Sequence, residues 1–137
     1  MNFDRFQKFK LPLTRDNAKH AILAFKGDVY NGIDAPALST GDLEFAQDSV
    51  RMLSGLYGVI RPLDLIQPYR LEMGTKLSNS KGKDLYEYWG TEISDVLNED
   101  ESELIVNLSS NEYFKAGDKK TLNANVLDIV FKEKKGE

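Results

Sequence analysis

The stretch RMLSGLYGVIRPLDLIQPYRLEMG, residues 51–74, decides how this chain is read. Gly55 and Gly58 flank Leu56 and Tyr57 and permit a tight backbone reversal that bulkier residues would resist. Just upstream, Ser39 and Asp42 have capping-box spacing, with Asp in place of the preferred Glu. They lead into a helix whose apolar positions are Leu43, Phe45, Ala46, Val50 and Leu53. Downstream, Pro62 suits the first turn of a second helix, where its missing amide hydrogen is no loss, and Pro68 stops that helix. The expectation is helix, hairpin, short helix: a helix-hairpin-helix-like element near residues 42–67, then a brief strand, LEM, before Gly74.

Toward the N-terminus, Phe3, Phe6 and Phe9 recur every three residues, a spacing that suits a helical stripe or a strand end. Asp16 is a good N-cap for a helix through Ala18, Ala21, Ile22 and Phe25, which Gly27 ends; DVYNG then reads as a turn or short extended piece. Toward the C-terminus, Leu85, Trp89, Ile93 and Leu97 recur every four residues and predict one helix over residues 84–98. LIVNL, residues 104–108, reads as a buried strand, and Ser109 with Glu112 as the start of a short helix. VLDIVF, residues 126–131, reads as another strand, and FKEKKGE as a hairpin turn without a return strand, which points to a truncated domain. The mixture predicts an α+β or irregular α/β fold, with residues 1–137 in a single domain.

Composition narrows the function. A chain of 137 residues with 41% hydrophobic and 29% charged residues can bury one core and is not a disordered tail. The absence of cysteine excludes disulfides, thiolate metal sites and cysteine nucleophiles. Charges at Asp4, Arg5, Lys8 and Lys10 break any signal-peptide core, and no stretch approaches a membrane span, so the cytosol is the expected compartment. Residues 84–114 hold nine carboxylates and no Lys or Arg; setting them aside from the net charge of −4 leaves +5 elsewhere. That segregation is compatible with one basic and one acidic surface.

No cofactor or metal motif is present, and no catalytic residue stands out: there is no GxGxxG, P-loop, HExxH or GxSxG. His20, the only histidine, lies on an amphipathic helix pattern with no convergent partners and reads as structural or surface. Asp42/Glu44 and Glu99/Asp100/Glu101 read as solvated helix ends. The chemically suggestive cluster surrounds the hairpin, where Gly55, Tyr57, Gly58, Arg61, Tyr69 and Arg70 crowd together. Backbone amides of such a turn can be directed at a phosphate, with the arginines adding charge-assisted hydrogen bonds. Alternatively, the glycines simply allow the turn, the tyrosines pack, and each arginine pairs with Asp64 or Glu72. Lys26 before Gly27 either joins such a site or complements a helix C-terminus. Lys81, Lys83, Lys119 and Lys120 occupy polar loops and are either solvated or part of one basic groove.

Four blocks in order, residues 21–35 (AILAFKGDVYNGIDA), 51–74, 82–90 (GKDLYEYWG) and 107–115 (NLSSNEYFK), resemble the YaaA family of bacterial peroxide-stress proteins. The resemblance implies an α/β fold of its own type and a role in the cellular response to hydrogen peroxide. It further implies DNA binding, duplex or branched and largely without sequence preference, through a basic cleft and a helix-hairpin-helix motif. The hairpin glycines here have GxxG spacing, whereas the usual motif carries GxG. Family patterns resembling ISPAKTL and SFYAKKARG have no counterpart here, which implies a piece of a longer YaaA-type domain. Two alternatives stand beside DNA binding: a protein acting on or holding a phosphorylated or nucleotide-like ligand in the same cleft, and an interaction module that docks a basic partner on the acidic helix at residues 84–100.

Overall fold

Three two-stranded sheets and six short α-helices make up residues 7–130, the part of the chain described by the computed structural model. The hairpin is the best-formed of the expected elements. Strands β1 (Lys19–His20), β2 (Met52–Ser54), β3 (Gly58–Ile60) and β4 (Leu65–Ile66) form two antiparallel pairs, β1 with β4 and β2 with β3. The β2–β3 turn depends on both glycines. Gly58 sits at φ +74°, and a Cβ there would lie 2.9 Å from the Trp89 ring; a Cβ on Gly55 would lie 2.6 Å from the Leu71 carbonyl oxygen. Trp89 closes this arrangement by donating its indole N–H to the Gly55 carbonyl at 3.1 Å.

The second helix expected after Pro62 does not form, so residues 42–67 are not a helix-hairpin-helix element but a helix, a β-hairpin and a short strand. The reason is local. Asp64 Oδ2 accepts the Arg61 amide at 2.7 Å, which fixes a turn, and the carbonyls of Pro62 and Asp64 accept the amides of Ile22 and Ala21. Long-range partners thus take the carbonyls that a helix would use. The same contacts shorten the helix expected from Asp16: Lys19 and His20 pair with Ile66 and Leu65, and only α1 (Ala21–Ala24) remains helical. His20 is structural, with Nδ1 2.5 Å from the Leu63 carbonyl.

After α1 come α2 (Asp28–Asn31), where a turn or extended piece was expected, and a 3-10 turn, Ala35–Ala37. Helix α3 (Thr40–Ser49) carries the full capping box, with the Asp42 amide donating to Ser39 Oγ at 3.2 Å and the Ser39 amide donating to Asp42 Oδ2 at 2.9 Å. Its apolar face is barely buried: Ala46 is inside, while Phe45 is 71% exposed. LEM before Gly74 is not a strand: Met73 and Gly74 lie in a turn closed by the Thr75 amide donating to the Glu72 carbonyl at 3.0 Å.

The helix expected over residues 84–98 is split into α4 (Leu85–Trp89) and α5 (Glu92–Asn98). Gly90, at φ +52°, adopts the left-handed backbone that breaks it, and Asp84 caps α4 by accepting the Glu87 amide at 2.9 Å. Strands β5 (Leu104–Asn107) and β6 (Asn125–Asp128) run parallel, joined through α6 (Asn111–Phe114). Ser110, one residue later than expected, is the N-cap of α6, while Ser109 Oγ donates to Asn107 Oδ1 at 2.8 Å. β5 is a strand as expected but not a buried one, because Leu104 and Val106 are exposed.

Two apolar clusters hold these pieces. Leu71, Met73, Leu85, Ile93, Leu97 and Ala116 form one; Ala21, Met52, Ile60 and Ile66 form the other. Residues 69–74 run between the hairpin and α6, where the Gly74 amide donates to Glu112 Oε1 at 2.8 Å. The mixed α/β class follows, in small sheets rather than one large one. Among the described residues, no helix is long and apolar enough to cross a membrane. The Phe3 and Phe6 positions, and residues 131–137, lie outside the described residues.

Candidate functional site

The hairpin turn brings Tyr57 onto Tyr69, ring centroids 5.4 Å apart and planes at 81°, an edge-to-face contact. Tyr69 also meets Phe25 edge-on at 6.2 Å, and Phe25 stacks on Tyr30 at 5.2 Å. One aromatic cluster is therefore assembled from α1, α2, the hairpin and residues 69–74. Polar contacts fix it. The Tyr69 hydroxyl lies 2.6 Å from Ser54 Oγ, which also accepts the Tyr57 amide at 3.0 Å. The Tyr57 hydroxyl accepts the Gln67 amide at 3.0 Å.

The phenols feel one another. Burial pushes the Tyr69 hydroxyl up to about 12, against a smaller lowering by Ser54, and the nearby phenols of Tyr113, Tyr30 and Tyr57 add to the rise. Burial likewise raises Tyr30 and Tyr113, the latter with help from the Glu112 and Glu72 carboxylates. Tyr113 reaches the cluster from α6, which is held by a hydrogen bond from the Tyr86 hydroxyl to the Glu112 carbonyl at 2.9 Å. At neutral pH these groups are neutral hydrogen-bonding phenols rather than bases.

Lys26 follows Phe25 in the chain and Arg70 follows Tyr69, so each cation is the sequence neighbour of one of the two rings that meet edge-on. Both are exposed, and neither has a side-chain partner among the described residues. Three of the lysines in polar loops are engaged. Lys81 pairs with Glu92 at 2.7 Å and lies over the Tyr88 ring; Lys83 pairs with Glu87 at 2.9 Å. Lys119 pairs with Asp128. Lys120 is exposed.

Arg61 belongs to a different place. With Arg51, Val59, Asp64, Val96, Glu99 and Asp100 it lines a shallow cleft of about 240 Å³. Arg51 grips Asp100 with two nitrogens, at 2.7 and 2.6 Å, and Arg61 reaches the same carboxylate at 3.4 Å. Gly55 and Gly58 serve the turn and its packing against Leu71 and Trp89. Of the nine residues singled out from sequence, Tyr57 and Tyr69 meet ring to ring; Gly55 and Gly58 shape the hairpin turn; Arg61, Lys81 and Lys83 pair with carboxylates; and Lys26 and Arg70 are exposed sequence neighbours of Phe25 and Tyr69. Sequence reasoning passed over Ser54, Phe25, Tyr30 and Tyr113 as site residues. The last three lie inside the blocks AFKGDVYNG and NEYFK, but nothing in their spacing joins those blocks. Among the described residues, no three His, Asp or Glu side chains gather to hold a metal ion.

These features define a mixed α/β protein with a tyrosine-rich cluster on its hairpin. The chain belongs to the family described as peroxide stress protein YaaA, whose sequence pattern it matches over residues 1–137. It is 56% identical over 137 residues to a UPF0246 protein of Saccharophagus degradans, covering 97% of this chain and 54% of that one. It is 55% identical to a UPF0246 protein of Pseudoalteromonas translucida, covering 97% of this chain and 53% of that one. It is also 56% identical to one of Acaryochloris marina, covering 98% of this chain and 54% of that one. The chain thus spans about half the length of the curated relatives it matches.

Proposed function

We propose that this chain is one part of a longer peroxide-stress protein and that it holds DNA phosphates, largely without reading sequence, at the cluster edged by Lys26 and Arg70. One observation carries the reading. Lys26 and Arg70 are the exposed sequence neighbours of Phe25 and Tyr69, whose rings touch, and have no carboxylate partner among the described residues, while Arg61, Lys81 and Lys83 are each met by one. Unpaired cations beside aromatic faces suit a nucleic-acid backbone, because the cations release counterions and the rings offer packing surface to sugars and bases. The family's description as peroxide-stress proteins is consistent with a protective contact of this kind.

Fluorescence anisotropy with labelled duplex and branched DNA, across a salt series, tests the reading. Affinity should fall steeply with salt and change little with sequence. No binding at low salt would defeat it.

A second reading is favoured by the crowd of phenols. The hydroxyls of Tyr30, Tyr57 and Tyr113 lie close enough to Tyr69 to add to the rise that burial imposes on it, and such donors suit a small phosphorylated or nucleotide-like ligand. A saturable thermal shift with mononucleotides that exceeds the shift with DNA would select it over the first.

A further inference from the structure

Strands β5 and β6 form a two-stranded parallel sheet whose outward face is apolar. Their register places Val106 beside Leu127, and the Ile129 amide donates to the Asn107 carbonyl at 3.2 Å, which carries the pairing one step further. Leu104, Val106 and Leu108 alternate along one strand and are 54%, 49% and 60% exposed; Leu127 and Ile129 on the other are 49% and 40% exposed. Alternation puts these five side chains on one face, while Ile105 and Val126 share the other.

Parallel sheets are ordinarily covered on both faces, and two parallel strands alone do not sustain themselves in water. Each strand here also has one edge without a strand partner among the described residues. A contiguous apolar face with open edges calls for a cover. The relatives offer one, since about half of each relative's length lies beyond the stretch this chain matches.

We infer that the outward face of β5 and β6 is a docking surface for the sequence by which longer members of the family exceed this chain, which covers it with an apolar segment inside a single polypeptide. The inference is independent of the DNA reading. It concerns how the fold is closed.

Hydrogen exchange on this chain and on the full-length Saccharophagus degradans relative tests it. In the relative, measured as a monomer by light scattering, the amides matching residues 104–108 and 125–129 should exchange at least tenfold more slowly than in this chain. This chain alone should bind a hydrophobic dye, and Val106→Asp with Leu127→Asp should lower that binding several-fold while leaving its circular dichroism and melting temperature unchanged. Equal exchange in the two proteins would overturn the inference. So would protection that appears only in a dimer, which would assign the face to a second copy, or loss of fold in the double variant, which would show the face already buried in this chain.

Discussion

Tyr69 and Ser54 share a hydrogen bond of 2.6 Å at a point where Ser54 has no exposed surface. The bond ties residues 69–74 to the hairpin turn, because Ser54 Oγ also accepts the Tyr57 amide at 3.0 Å. Tyr69→Phe keeps the ring packing against Tyr57 and Phe25 and removes only this bond. It should cost about 1 kcal/mol, the ordinary net value of one hydrogen bond, read from urea denaturation at neutral pH.

The same hydroxyl sets an alkaline limit. Its folded value, about 12, lies above the value of about 10 expected in an unfolded chain, so the folded state keeps the proton longer. The unfolded state therefore binds fewer protons between those values, and stability must fall as pH rises through that window while staying flat below it. Denaturation midpoints should decline from roughly pH 10 upward, and Tyr69→Phe should make the decline shallower. Identical alkaline profiles for the two proteins would contradict the placement of Tyr69.

Gly55→Ala and Gly58→Ala should both destabilise the hairpin. The added methyl meets the Leu71 carbonyl at 2.6 Å in the first case and the Trp89 ring at 2.9 Å in the second, where φ is also +74°. Each should lower stability by roughly 1–3 kcal/mol, and Gly58→Ala should also change the near-ultraviolet dichroism of Trp89.

Arg51 does more than pair with Asp100. Its Nη1 donates to the carbonyls of Gln47, Asp48 and Val50 at 3.3, 3.1 and 2.9 Å, closing the end of α3. Arg51→Ala should cost roughly 1–3 kcal/mol. Arg61→Ala should cost less than about 1 kcal/mol, because Arg61 is half-exposed and reaches Asp100 at 3.4 Å. A double-mutant cycle with Asp100→Ala measures both couplings.

Met73 has no exposed surface and sits in the larger apolar cluster. Met73→Ala should cost about 2–5 kcal/mol, with the spread set by how far Leu71 and Leu85 relax into the space.

What could be read from the residues was local. The capping box at Ser39 and Asp42, the glycine turn at Gly55 and Gly58, and the β-branched run at residues 104–108 are signals within a few residues, and each produced the expected element. The failures are tertiary. Leu65 and Ile66 became a strand because Lys19 and His20, more than forty residues away, pair with them. Periodicity across Trp89 and Ile93 continued smoothly, yet Gly90 bends the backbone between them. The site divided in the same way: Tyr57 and Tyr69 could be chosen by proximity in sequence, whereas Phe25, Tyr30 and Tyr113 join them only through the fold. Lysine positions were legible, and Glu87 lies only four residues from Lys83, but Glu92 reaches Lys81 across eleven residues through the fold.

The central claim is that DNA phosphate is held by Lys26 and Arg70 rather than by the paired lysines. The direct measurement is DNA affinity across a salt series for Lys26→Ala, Arg70→Ala, Lys81→Ala and Lys83→Ala, each checked for an unchanged fold. The account predicts that the first two weaken binding on every sequence alike and each reduce the salt slope by about 1, while the last two leave both nearly unchanged. Full affinity in the first two, or losses as large in Lys81→Ala and Lys83→Ala, would contradict it.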